Sequence, residues 1–160
     1  DDDSVVAKKL PPNRRYCFAS PKYLAEFGTP QDINELSNHH CVTQTNMVAN
    51  QKFWVLQNSL GQRKEVMVSG SMAADSADIT IDLIKKDFGI GLIGKYKAKE
   101  GIERGELVPL FNEEWFIEGN MYVMYKQNPH IPRRFKIFIE EFIEIYSCIV
   151  SKFEGTLPLN

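Results

Sequence analysis

Two short stretches carry the side chains best suited to meeting a small ligand. The first is Asp75–Ser76–Ala77, at the start of an amphipathic segment running through Ile79, Leu83 and Ile84 to Lys85 and Lys86. Asp or Ser at that place caps a helix, and the first amides beyond a cap have no partner inside the helix. Those amides and the positive end of the dipole suit a ligand carboxylate. Asp75 opposes this, because its charge repels an anion; pointing inward, it favours a neutral or cationic ligand. Capping alone is the plainer role for both residues. The second stretch, Thr43–Gln44–Thr45–Asn46, follows an apolar run that starts at Cys41 and offers hydroxyl and amide groups. In open α/β sheets, ligands bind at the carboxyl ends of strands. A solvated loop is the competing reading there.

Other chemistry finds little support. His39, His40 and His130 have no Cys or acid at ligand spacing, and adjacent histidines point in different directions, so no metal site is expected. The pairs Glu113–Glu114 and Glu140–Glu141 are sequence neighbours, which rarely face one substrate atom; they read as solvated faces. Ser20 lacks the G-x-S-x-G frame of a nucleophile and reads as a helix cap. Phe53, Trp54 and Trp115 read as packing. With no catalytic residues and no cofactor motif, the chain reads as a ligand-binding module and not an enzyme.

The 160 residues are enough for a real core, with 43% hydrophobic and 25% charged content. A formal charge of −2 argues against capture of nucleic acid by this piece, since that needs a basic face. Cys17, Cys41 and Cys148 are odd in number and scattered. Cys17 and Cys148 lie in apolar runs, so they read as small buried hydrophobes in a reducing, cytoplasmic setting. No window approaches the roughly 20 apolar residues of a membrane helix. The opening Asp1–Asp2–Asp3 is opposite in charge to a secretory leader and suggests a piece of a longer protein.

The elements that must position these residues alternate between strand and helix. Val5–Leu10 is strand-like, Pro11–Pro12–Asn13 predicts a turn, and Arg15–Ala19 is the next strand. Ser20–Pro21 starts a helix that stops at Gly28, and a short helical turn runs to Leu36. Lys52–Leu56 and Glu65–Val68 form a hairpin around Ser59–Leu60–Gly61. Gly89–Ile93, Leu107–Leu110 and Met121–Tyr125 are strands, and 97–104 is helical or turn-like. Pro132 opens a long helix whose apolar stripe, Phe135, Phe138, Ile139, Phe142, Ile143 and Tyr146, must be covered by something. Regularity is lost from Ser147 on. The class is α/β with a mixed sheet.

The ordered set of segments resembles the C-terminal part of the effector-binding domain of LysR-type bacterial transcriptional regulators. The likeness runs from Asp3–Leu10 to about Tyr146. It rests on Ala19–Ser20–Pro21–Lys22–Tyr23–Leu24 with Phe27–Gly28–Thr29–Pro30, then His40–Cys41, Val68–Ser69–Gly70 and Phe88–Gly89–Ile90. Gly105–Glu106–Leu107–Val108, Tyr122–Tyr125 and Ile131–Pro132–Arg133 follow. No single motif is specific; the order is. Two positions depart from the pattern. Asp87 stands where such proteins often have Gly, and Gly94 where they often have Pro.

The resemblance implies a type II periplasmic-binding-protein-like fold: two α/β subdomains joined by crossover strands, the first incomplete here. Residues 1–18 would end the first subdomain and form a crossover, and 19–110 would be the second subdomain. Residues 111–150 would return as crossover, strand and helix of the first, with 151–160 a tail. It further implies a small-molecule effector in the inter-subdomain cleft, met by Asp75, Ser76, Ala77, Thr43, Gln44 and Thr45. Promoter DNA would be read by a helix-turn-helix absent from this sequence. Homodimers or tetramers would pair side by side through the Ser76–Lys86 helix, in the cytoplasm, with no membrane. A solute-binding protein of a transport system, built on the same fold, is the alternative.

Overall fold

A computed structural model of the chain describes residues 5–44, 52–127 and 131–154. They fall into two compact units, one of residues 14–118 and one of residues 1–13 with 119–160.

The 14–118 unit is built on a mixed sheet. Its strands are β1 (Val5–Ala19), β2 (Cys41–Gln44), β3 (Phe53–Gln57), β4 (Arg63–Met67), β5 (Ala73–Ala74), β6 (Ile90–Ile93), β7 (Val108–Pro109) and β8 (Phe116–Lys126). The order is β4-β3-β8-β1-β6-β2-β5, with β7 also on β1. β2 runs parallel to both β6 and β5, whereas β1 meets β6 antiparallel, with Cys17 opposite Leu92. β3 and β4 form the expected hairpin, Trp54 opposite Val66, and its turn closes with Gly61 donating to the Asn58 carbonyl at 3.0 Å. Gly61 sits at φ +78°, a conformation glycine adopts freely.

Helix α1 (Pro21–Phe27) starts as its sequence predicts: the Ser20 hydroxyl accepts from the Tyr23 amide at 3.0 Å, with proline in the first turn. A 3-10 turn, Ile33–Asn38, follows, capped by Asp32. Helix α2 (Ala77–Lys85) lies on β6; a Cβ added at Gly91 would come within 2.5 Å of the Ile84 side-chain end, so a larger residue there would displace Ile84. Helix α3 (Lys95–Glu103) completes the layer. Alternation along β2 divides two apolar clusters. Cys41 packs with Tyr23, Leu36, Trp54 and Val68, and Val42 packs with Phe18, Ile84, Ile93 and Ala98.

In the other unit, β1 and β8 continue, and helix α4 (Arg133–Glu154) follows. Tyr125 meets Phe135 edge-on at 5.8 Å, and Phe138, Phe142 and Tyr146 stack in succession at the i, i+4 spacing of one helix face. Within that stripe Ile139 is buried at 6% exposure, while Phe138 is 59% exposed and Phe142 42%.

The structure corrects four expectations. Strand β1 does not turn at Pro11–Pro12 but runs unbroken from Val5 to Ala19. Proline's φ fits an extended chain and costs only an N–H donor, so a strand tolerates it where the ladder asks for none. Helix α4 continues past Tyr146 to Glu154, and the Ser147 and Ser151 hydroxyls bond back to the carbonyls four residues earlier. Ile79 of α2 is 49% exposed; Thr80 takes the buried face beside the expected Ile84. Cys17 and Cys41 are buried, but Cys148 is exposed.

Candidate functional site

Of the residues singled out for ligand contact, Thr43 and Gln44 end β2, and Asp75, Ser76 and Ala77 lie between the parallel strand β5 and the first turn of α2. Thr43 lies opposite Ala73 and Gln44 opposite Ala74. The Thr43 amide donates to the Met72 carbonyl at 3.2 Å. Two residues past β5, Ser76 caps α2: its hydroxyl accepts from the Asp78 amide at 3.2 Å. Asp75 is exposed, and Ser76 and Ala77 are half-buried. Thr45 and Asn46 lie outside the described residues.

Gln44 is a tie between elements. Its side-chain nitrogen donates to the Thr80 hydroxyl at 2.9 Å and toward the Leu92 carbonyl at 3.4 Å. Thr80 in turn donates to the Ser76 carbonyl at 2.9 Å. This chain pins the start of α2 to the ends of β2 and β6, and it is buried, with Thr80 at 0% and Gln44 at 9% exposure. The sequence reading overlooked Thr80, although a Thr four residues after a cap is a regular partner for the cap carbonyl.

Thr43 faces the other way. It follows Cys41 in the alternation, so its side chain leaves β2 on the hairpin side, away from Gln44 and α2. There it lines a pocket of about 400 Å³ with Ser37, Lys52, Met67, Ser69 and Gly70. Gly70 is required by that wall: a Cβ would sit 1.8 Å from the Cys41 carbonyl oxygen. Two of the grouped candidates, neighbours in sequence, therefore serve opposite sides of one strand.

The histidines are accounted for by packing. The Tyr23 hydroxyl accepts from the His40 amide at 3.0 Å and contacts His39 Nδ1 at 3.2 Å. Burial lowers the His39 pKa and raises that of Tyr23. His130 lies outside the described residues. Among the acids, Glu140 and Glu141 are the exposed face expected, but Glu113 is not: it pairs with Lys95 at 2.7 Å with both side chains nearly buried. Asp87, at φ +66°, occupies the left-handed position that ends α2. The Asp87 amide donates to the Ile84 carbonyl and the Phe88 amide to the Leu83 carbonyl, a pattern that usually takes glycine. Its carboxylate accepts from the Ser20 hydroxyl at 2.6 Å and pairs with Lys22 at 2.7 Å. Gly94, at φ −69°, holds the backbone angle that a proline would impose.

The LysR substrate binding domain family matches residues 1–146. The chain belongs to that family. It is 27% identical over 138 residues to the HTH-type transcriptional activator TtdR of Escherichia coli K12, a match covering 86% of this chain and 44% of TtdR. It is 28% identical over 145 residues to the HTH-type transcriptional regulator CrgA of Neisseria meningitidis, covering 90% and 48% respectively. The chain thus spans less than half the length of these relatives. The CrgA regulatory domain superposes with a TM-score of 0.71 at 26% identity, covering 91% of this chain and 71% of that one. Full-length AphB of Vibrio cholerae, at 23% identity, gives 0.73 over 91% of this chain and 49% of that one, a likeness of fold. The mixed α/β sheet is that of LysR regulatory domains, the type II periplasmic-binding-protein-like fold. The relatives are transcription regulators and not transport solute-binding proteins, so the chain is the effector-binding domain of a LysR-type regulator.

Proposed function

We propose that this domain senses a small-molecule effector for a longer, DNA-binding regulator that acts in the cytoplasm and has no enzymatic activity. The observation that carries this is the family match over residues 1–146, together with relatives named as HTH-type regulators that are twice as long. In this reading residues 19–110 are the second subdomain, and residues 1–18 and 111–150 are crossovers and the returning strand and helix of the first. The exposed apolar stripe of α4 supports it: Phe138, Phe142, Ile145 and Ile149 are each more than 40% exposed, as they would be if the rest of the first subdomain covers them.

The effector meets the end of β5 and the start of α2, with Asp75, Ser76 and Ala77 as one wall of its site. Gln44 holds that wall in register through Thr80, whereas Thr43 faces the other side of β2. A ligand changes DNA binding only by its differential affinity for two domain arrangements, typically about 1–3 kcal/mol of coupling. Homodimers or tetramers carry that change to promoter DNA. The test is retardation of the protein's own promoter fragment by the intact regulator. Specific retardation is expected, and its absence with correctly folded oligomer would end the reading.

A further inference from the structure

We propose that Tyr23 and His39 form an acid-sensitive latch that holds helix α1 against the start of β2, closed while His39 is neutral and opened when its ring takes a proton.

The latch is a directional chain of hydrogen bonds. The Tyr23 hydroxyl accepts from the His40 amide at 3.0 Å and lies 3.2 Å from His39 Nδ1. A phenol carries one hydrogen, and an amide N–H cannot accept it, so that hydrogen is left for Nδ1. Nδ1 is then the acceptor, and the neutral ring carries its own hydrogen on Nε2. The imidazolium has an N–H on both nitrogens. Protonation therefore sets two donors, the His40 amide and Nδ1–H, against one phenolic oxygen, and the phenol hydrogen loses its acceptor. Tyr23 is 0% exposed and His39 9%, so water does not readily take the place of that acceptor.

The groups around the ring leave it neutral at neutral pH. Glu35, in the 3-10 turn that His39 caps, favours the charged ring, but burial outweighs it and the neighbouring His40 adds to burial. Strand β2 brings Cys41, whose thiol burial keeps protonated. Strand β4 packs on the turn and brings Lys64, which pairs with Asp32 at 3.9 Å. From α1 come the rings of Tyr23 and Phe27, stacked at 4.8 Å, with Phe27 edge-on to His40; its charged residues, Lys22 and Glu26, are exposed.

The two sides of the latch differ in freedom. His40 is held, because its carbonyl accepts from the Ile90 amide at 2.9 Å and the next amide, of Cys41, donates to the Ser69 carbonyl at 2.7 Å. Helix α1 has seven residues and ends at Gly28, with Phe27 49% exposed. Opening therefore loosens the end of α1 and leaves β2 in place.

The test follows this chain by NMR from about pH 8 to about pH 5. At the upper end the His39 ring should show the Nε2–H tautomer. As His39 titrates, the His40 amide shift should follow with the same midpoint. The protection factor of the Gly28 amide, which donates to the Leu24 carbonyl, should fall about tenfold, while that of Ala98 in α3 stays constant. H39N puts an oxygen where Nδ1 stands and does not titrate, so it should keep Gly28 protected at both ends of the range. Y23F removes the hydroxyl and should show the lowered protection at both ends; if it fails to fold, H39N decides alone. An Nδ1–H tautomer near pH 8, a His40 amide that ignores the His39 midpoint, or acid loosening that persists in H39N would overturn the latch. An equal fall at Ala98 would also overturn it, since the whole unit would then be opening. None of these outcomes bears on the regulator reading, which promoter retardation tests separately.

Discussion

The sharpest energetic consequence concerns the ion pair between Lys95 and Glu113. Lys95 opens α3 and Glu113 ends a short 3-10 turn whose residues Phe111, Asn112 and Glu113 all have positive φ, 51–56°. Three successive non-glycine residues in the left-handed region cost about 1 kcal/mol or more each, so something must hold them there. The ammonium and carboxylate stand 2.7 Å apart at 9% and 4% side-chain exposure, and Lys95 also sits 4.5 Å over the Tyr16 ring. One carboxylate oxygen, Glu113 Oε1, is buried without a hydrogen bond. Removing Lys95 therefore leaves a nearly buried charge whose second oxygen is already unsatisfied. A loss of about 3–5 kcal/mol is expected for K95M, and a similar one for E113L.

Removing both partners removes the uncompensated charge. K95M/E113L keeps only the loss of the contact with Tyr16, about 1–2 kcal/mol, so the singles should overshoot the double by several kcal/mol. Urea unfolding followed by Trp54 and Trp115 fluorescence measures this. With a slope near 2 kcal/mol per molar, K95M should lower the midpoint by about 2 M and the double by under ~1 M. A K95M shift below about 0.5 M, or a double variant that loses the sum of the singles, would refute the reasoning.

At Asp87, φ +66° penalises any side chain, so D87G should melt a few degrees above D87A although both lose the contacts with Ser20 and Lys22; calorimetry gives the order. Burial holds the His39 pKa below its usual 6.5, so the unfolded chain takes up that proton first. Stability should be fully present above about pH 6.5 and fall as pH drops through the folded-state value, and H39F should flatten that slope in urea titrations at several pH values. Burial pushes the Cys41 thiol up to about 12 and Cys17 higher still, while Cys148 is exposed. A thiol reagent at neutral pH should modify one cysteine in the native chain and three in denaturant; rapid reaction of two native thiols would contradict the burial.

Features with local causes were legible in the residues. Ser20–Pro21, Ser76, Gly28 and Gly61 each act through backbone groups within a few positions, so type and spacing name the cap or turn. What was not legible depends on partners far along the chain. Lys95 and Glu113 are 18 residues apart, and neither residue type hints that the pair is buried. Pro11–Pro12 reads as a break because proline ends ladders, yet β1 passes through it as extended backbone. Ile79 outranks Thr80 in hydrophobicity, but Thr80 wins the buried face because its hydroxyl links Ser76 to Gln44.

That last link also explains why polarity alone could not assign β2. Thr43 and Gln44 end a four-residue strand that is buried throughout, so each must find a polar partner or open onto a cavity. Gln44, on the α2 side, finds Thr80 and the Leu92 carbonyl and becomes structural. Thr43, on the hairpin side, lines a pocket with Ser37 and Met67. The period-two alternation that separates them was present in the sequence from the start. Only the positions of α2 and the hairpin decide which side carries the tie and which the opening. A substitution on each side should therefore separate the roles in urea unfolding: Q44L should lower stability and loosen the start of α2, whereas T43V should leave stability nearly unchanged.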